Sequence, residues 1–394
     1  MIYREKYLSE IRGFYHSDLI KIITGVRRCG KSFILEQIRE ELSNTSENLV
    51  SLDFDDRMAT SDIETWQDIV RYVQEHRKTD LCYVFLDEVQ EIDGWAHACR
   101  ALRRENCSVF ISGSNSKLLS KEFTKELSGR YVSFRIRPFV FRELQEYAAQ
   151  LNKTISVSDY LIWGGFPKRL EFESIQEQRR YLSDLNETIV ANDLINRYKI
   201  RKQNEFRKVV NYILISNSRA YSAKSISDHM LGNGITVSAN TVQKWIGYLE
   251  SAYIVDEVPR YSKKAKKELE QSHKIYDCDV SLNSIRCKDH RYDLAHNLEN
   301  VVYHELIYRG YTVTVYDNNG REIDFLAEKD MKKTYVQVAY SVVEEKAWKR
   351  EFSAFSGIPA YERKIIITND EIDYSTSAVE HIRLVDFLQY DDIP

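Results

Sequence analysis

The chain is 394 residues long, with 43% hydrophobic and 29% charged residues, ordinary globular proportions that leave room for two or three domains. A formal charge of −4 supplies no overall positive field, so binding to nucleic acid or anionic lipid has to come from a local patch. No run approaches the ~18 apolar residues of a membrane span, and residues 1–6 carry no secretory apolar core. The six cysteines (Cys29, Cys82, Cys99, Cys107, Cys278, Cys287) stand singly, without CxxC or zinc spacing, so the expectation is a cytoplasmic protein with reduced, mostly packed thiols.

Residues 1–18 read as an amphipathic helix (Tyr7, Leu8, Ile11, Phe14, Tyr15) leading into an apolar run at 19–24. Directly behind that run, Gly25-Val26-Arg27-Arg28-Cys29-Gly30-Lys31-Ser32 fits G-x-x-x-x-G-K-[ST]. The glycines let several backbone N–H groups point inward at an anion, Lys31 adds charge near the β- and γ-phosphates, and the Ser32 hydroxyl suits Mg²⁺. A helix opening at Lys31 aims its positive end at the same place. Gly25, Arg28, Cys29, Gly30, Lys31, Ser32 and Phe33 are therefore the candidate nucleotide-binding residues.

A second strand at 49–54, a helix at 61–77 carrying Ile63, Trp66, Ile69, Val70 and Val73, and a third strand at 81–86 follow. Alternating apolar runs and helical periods signal a parallel sheet covered on both faces. The third strand delivers Asp87-Glu88 to its carboxyl end, where an open α/β sheet places its site. Asp87 is placed to hold Mg²⁺ together with Ser32, and Glu88 to polarise the attacking water as general base. A further strand at 108–112 ends in Gly113-Ser114-Asn115-Ser116, making Ser114 and Asn115 candidates for contact with that water or the γ-phosphate, with a plain turn as the rival. Arg130, ahead of an edge strand at 132–136, suits the γ-phosphate of its own or a neighbouring subunit, or a local carboxylate.

The segments GVRRCGKS, FLDEVQEIDGW, ISGSNSKLL, LSGRY and WGGFP, in this order, resemble the prokaryotic AAA-like ATP-binding proteins whose C-terminal half is a domain of unknown function. The resemblance covers nearly the whole chain. It implies an α/β P-loop core of the additional-strand type, a helical lid, a winged helix and a C-terminal α/β domain similar to restriction endonucleases, at 1–137, 138–203, 204–285 and 286–394.

Helical patterns run through 138–200, broken by Gly164-Gly165-Phe166-Pro167, a rigid corner with no chemistry of its own. Three short helices follow, with Ser222 and Ser238 as caps. The third, 239–250, turns Val242, Ile246 and Leu249 to one face and Asn240, Gln243, Lys244 and Gly247 to the other. Strands at 253–258 and 274–277 frame a tip with Arg260, Lys263, Lys264, Lys266 and Lys267. That pattern is a winged helix, suited to DNA through Asn240, Gln243, Lys244, Lys263 and Lys264, or to a protein partner. In the last segment Glu299 and Asp324 fit the metal-binding acids of the nuclease fold, but Gln337 and Ala339 stand where its glutamate and lysine belong. The expectation is a degenerate nuclease fold, unless Lys333 or Lys346 substitutes in space. The combined reading is an ATPase using ATP and Mg²⁺, with ATP between sheet and lid and turnover reorienting lid and winged helix. The alternatives are a nucleotide-gated docking switch with little turnover and an ATP-regulated nuclease. Oligomerisation is open.

Overall fold

The computed structural model describes residues 2–56, 58, 60–114, 127–261, 273–289, 291–318 and 320–393. It divides into two compact units, Met1–Pro138 with Ser251–Tyr253, and Phe139–Glu250 with Ile254–Pro394.

The first unit opens on α1 (Glu5–Arg12), which buries Tyr7, Leu8 and Ile11. Five strands follow: β1 (Ile20–Thr24), β2 (Leu49–Asp53), β3 (Cys82–Asp87), β4 (Cys107–Gly113) and β5 (Tyr131–Arg135). Their order is β2-β3-β4-β1-β5, and every neighbouring pair is parallel. β1 and β4 are buried along their whole length, as apolar runs covered on both faces must be. Between the strands run α2 (Lys31–Ser43), α3 (Trp66–His76) and α4 (Trp95–Arg104). α3 begins at a capping box, Thr65 with Asp68, which satisfies two of the helix's open N–H groups. Ile20, Ile22, Val84, Leu86, Val109 and Ile111 pack with Ile69, Val73 and Leu102 into the core on one side of the sheet. The consequence for function is positional. β4 is inserted between β1 and β3, so the loop after β1 and the acids ending β3 share one edge of the sheet, two strand spacings or about 10 Å apart.

The second unit begins with α5 (Phe141–Gln150), α6 (Val157–Trp163) and α7 (Ile175–Thr188), the last continuing as a π-helical stretch over Ile189–Asn196. The corner between α6 and α7 is a close backbone crossing. The Gly165 N–H donates to Asp279 Oδ2 at 2.6 Å and its carbonyl accepts from Phe139 N–H at 3.0 Å. A Cβ at Gly165 would lie 1.9 Å from the Phe139 carbonyl oxygen, so only glycine fits. α8 (Gln203–Ile215), α9 (Ala223–Gly232) and α10 (Ala239–Ser251) come next. The hydroxyls of Ser222 and Ser238 accept from Ser225 N–H and Thr241 N–H, capping α9 and α10. A small sheet pairs β6 (Ala220–Tyr221), β9 (His273–Asp277) and β7 (Val255–Val258) in that order.

A six-stranded sheet closes the unit, ordered β14-β13-β12-β11-β10-β8. Its strands are β8 (Arg260–Tyr261), β10 (Thr312–Asn318), β11 (Arg321–Lys329), β12 (Lys332–Ala339), β13 (Arg363–Thr368) and β14 (Glu380–Arg383). α11 (Leu294–Tyr308) packs on β10, β11 and β12. Trp348 and Phe352 of α12 (Glu345–Ser353) join a core with Tyr316, Leu326, Tyr335 and Ile366. The edge strand β8 lies within 204–285, the span expected to form the winged helix, yet it hydrogen-bonds to β10. Among the described residues no helix is long and apolar enough to cross a membrane, and all six cysteines are free thiols.

Candidate nucleotide-binding site

The loop after β1 is held in shape by its glycines and by what lies beneath it. Gly25 sits at φ +147° with room for no side chain, since a Cβ there would lie 2.2 Å from the Ile136 carbonyl oxygen and 2.8 Å from Cys29 Sγ. Gly30, at φ 101°, is the left-handed residue from which α2 starts, and Arg28 adopts φ 66°. Cys29 faces inward rather than toward a ligand. Its thiol donates to the Ile136 carbonyl at 3.4 Å, and burial pushes the thiol's pKa up. The Cys29 side chain therefore serves the loop's packing, which leaves its expected part in nucleotide binding to its backbone. Ser32 and Phe33 are exposed on the first turn of α2.

Lys31 reaches across to the acids. Its side chain is 4% exposed, and its ammonium lies 3.5 Å from Glu88 Oε1 and 3.4 Å from the Val26 carbonyl. Glu88, at φ 49°, is held at several points. Oε2 accepts from Ser114 N–H at 3.2 Å and from the Gln90 amide, while its own N–H donates to Ser112 Oγ at 3.2 Å. Burial alone would raise the Glu88 carboxyl; Lys31, the Gln90 and Ser114 hydrogen bonds and Arg27 outweigh it and hold it below its ordinary value. Glu88 is thus an ionised carboxylate beside the loop.

Asp87 is set differently. Burial pushes its carboxyl above its ordinary value, against hydrogen bonds from Ser112 and Ser32, with Glu88 and Asp53 adding to the rise. Ser32 and Asp87 are thereby hydrogen-bonded, a hydroxyl beside a carboxylate at the mouth of the loop. Among the described residues no group of three His, Cys, Asp or Glu is arranged to hold a metal ion. A hydroxyl beside a carboxylate fits a hard cation only where phosphate oxygens and water complete its coordination, as they do for Mg²⁺.

A family model for an AAA domain matches residues 17–145, and one for a domain of unknown function, DUF8612, matches residues 154–287. An uncharacterized protein of Haemophilus influenzae is 31% identical over 98% of this chain and 98% of its own length. The chain belongs to this AAA-domain family. A second relative, an uncharacterized protein of Methanocaldococcus jannaschii, is 26% identical over 89% of this chain and 82% of its own. The solved Walker-type ATPase of Pyrococcus abyssi has a TM-score of 0.52 at 14% identity, over 73% of this chain and 96% of that one, a likeness of fold. The AAA-like P-loop core, shared in sequence and in architecture, supports ATP binding.

Within this AAA core one of the remaining expected residues falls in an unexpected place. Arg130 is not at the loop. β5 runs parallel to β1 with Tyr131 opposite Ile20 and Arg135 opposite Thr24, and the Arg130 carbonyl accepts from Ile20 N–H. Arg130 therefore stands at the amino edge of the sheet, five residue rises or about 16 Å from the carboxyl edge. The arginine of this strand at the site's own edge is Arg135, whose charge reaches Cys29. Ser114 is buried and engaged with Glu88 through its N–H, whereas Asn115 lies outside the described residues.

Two contributors escaped the sequence reading. Arg4 is 2% exposed, donates from Nη1 to the Cys29 carbonyl at 3.2 Å and lies over the Tyr7 ring at 4.5 Å, so the segment ahead of α1 braces the loop. Asp55, just past β2, is pushed up by burial and then by Glu88, with Arg27 and Arg28 acting against them. Its only sequence signal was an acidic run after an apolar strand.

In the second unit Asn240, Gln243 and Lys244 are exposed on α10, while Gly247 is half-buried; Lys263, Lys264, Lys266 and Lys267 lie outside the described residues. Glu299 and Asp324 do come together, with Lys274 between them at 2.8 and 3.2 Å. Neither Lys333, paired with Glu328 at 3.1 Å, nor the exposed Lys346 takes that place. Gln337 Oε1 accepts from Asp324 N–H at 3.3 Å and its amide donates to Glu351 Oε2 at 2.8 Å.

Proposed function

We propose that the chain binds ATP with Mg²⁺ at the carboxyl edge of the first-unit sheet and hydrolyses it. The observation that carries this reading is the meeting of Lys31, Ser32, Asp87 and Glu88 at one edge, with the Lys31 ammonium 3.5 Å from Glu88. Backbone N–H groups of the loop and the first turn of α2 cradle the phosphates. Ser32 and Asp87 hold Mg²⁺, which neutralises charge on the phosphate oxygens when bound. Lys31, already desolvated, turns from its ion pair with Glu88 toward those oxygens. Glu88, kept ionised, accepts the proton of the attacking water. The position of Arg130 leaves it one route to a γ-phosphate, across an interface with a second copy. The exposed face of α10 supports coupling to DNA through a winged helix, with Asn240, Gln243 and Lys244 toward the groove.

One observation favours a second reading. Glu88 is tied by Lys31, Gln90 and Ser114 together, a restraint that suits a nucleotide-gated docking switch with little turnover. Phosphate release from ATP, measured with Mg²⁺, with chelator, and with duplex or single-stranded DNA, separates the two. Mg²⁺-dependent multiple turnover supports hydrolysis; ATP recovered intact from the bound state refutes it.

A further inference from the structure

The second unit contains a buried charge cluster that the nucleotide chemistry does not use. Lys274 of β9 has a side chain 5% exposed, and its ammonium contacts Glu299 Oε1 at 2.8 Å, Glu322 Oε1 at 2.7 Å and Asp324 Oδ1 at 3.2 Å. The three carboxylates come from two elements, Glu299 from α11 and Glu322 and Asp324 from one face of β11, where alternate residues align. Their other contacts belong to the protein as well. The Tyr276 hydroxyl donates to Glu299 Oε1 at 2.7 Å, Arg260 pairs with Glu322 Oε2, and Val338 N–H donates to Asp324 Oδ2 at 2.9 Å. Gln337 has its oxygen on Asp324 N–H and its amide on Glu351, and Ala339 offers no donor. An ammonium has three donors and one charge, and here it has three carboxylates around it.

The spacing of that cage is the spacing of an ammonium. A divalent cation such as Mg²⁺ draws oxygens to about 2.0–2.1 Å, whereas these oxygens stand at 2.7–3.2 Å from Nζ, and no group of three acids among the described residues is arranged for a metal. We propose that Lys274 is the resident cation of this cluster, occupying the volume and supplying the charge that a divalent metal would otherwise bring, so that the native domain excludes metal there. The inference is independent of the ATP reading. It makes metal-assisted phosphodiester cleavage at Glu299 and Asp324 unavailable to the native chain, because the nucleophile-activating ion has no place to sit.

The test uses the full chain without nucleotide and Mn²⁺ as probe, followed by electron paramagnetic resonance and thermal unfolding. The native chain and Asp324→Asn are expected to give the same Mn²⁺ uptake. Lys274→Met is expected to lower the unfolding temperature, because it leaves buried carboxylates without their counter-charge. It should also gain one bound Mn²⁺ that restores part of that temperature, and adding Asp324→Asn should abolish the gain. Mn²⁺ uptake by the native chain that Asp324→Asn removes overturns the proposal, as does a soluble Lys274→Met that gains no Mn²⁺. If Lys274→Met does not accumulate as folded protein, the comparison of native chain with Asp324→Asn decides alone, equal uptake supporting the proposal and unequal uptake refuting it.

Discussion

Lys31→Ala isolates the charge on which ATP binding rests. The native ammonium is nearly sealed from water and has two partners, the Val26 carbonyl at 3.4 Å and Glu88 at 3.5 Å, so it is desolvated before any phosphate arrives. A hydrogen bond to a charged group contributes about 1.5–3 kcal/mol, and a lysine bridging two phosphate groups replaces at most two of these. A net loss of about 3 kcal/mol corresponds to a ~100-fold weaker Kd. The truncation also removes the strongest attraction that holds the Glu88 carboxyl down, so Glu88 shifts upward and, where still ionised, repels the triphosphate. The fold itself is expected to survive, because Glu88 keeps its bonds to Gln90 and Ser114 N–H. Fluorescent-ATP titration reads the affinity and circular dichroism checks the fold. A folded Lys31→Ala that binds ATP as tightly as the native chain refutes the reasoning.

Three further outcomes follow from the same geometry. Arg4→Ala withdraws the donor from the Cys29 carbonyl and is expected to weaken ATP about tenfold, the value of one lost charge-assisted bond; unchanged affinity in the same titration would show that the loop needs no brace. Arg130→Ala is expected to leave ATP affinity of the dilute chain unchanged, whereas Arg135→Ala, at the site's edge, weakens it; the reverse order would contradict the strand register. Gly165→Ala drives a Cβ to 1.9 Å from the Phe139 oxygen and is expected to destabilise by about 3 kcal/mol, while Gly247→Ala, with open space around its Cβ, stabilises α10 by up to about 1 kcal/mol. Denaturant titration of the two variants checks the opposite signs.

The centre of the first-unit sheet was legible because β1, β3 and β4 are buried on both faces and read as continuous apolar runs, and because glycine, lysine and serine at fixed spacing have a mechanical meaning. Asp87 and Glu88 were legible for the same reason, standing where an apolar run ends. What escaped depends on direction and distance. Arg130 precedes a strand parallel to β1, which puts it at the amino edge, and an apolar pattern does not state which way an edge strand runs. Arg4 was hidden because amphipathic periodicity registers the apolar positions of a helix and not a cation folded under a loop. Cys29 lies in the motif by sequence, yet its thiol turns into the core. Lys274 lies 50 residues ahead of Asp324, on a strand of a different sheet. Lys333 and Lys346, nearer in sequence to the expected lysine position, point elsewhere because local spacing does not encode how the two sheets pack.

The measurement that bears most directly on the central claim is ATP binding and turnover in Glu88→Gln. The native Glu88 carboxyl sits below its ordinary value, so kcat/KM for the native chain is expected to stay flat across neutral pH and to fall only on acidification through that lowered value, as the base takes up its proton. Glu88→Gln keeps the shape and removes the base. The account predicts ATP held at native affinity or tighter with phosphate release slowed about 10²–10⁴-fold; turnover at the native rate would contradict it.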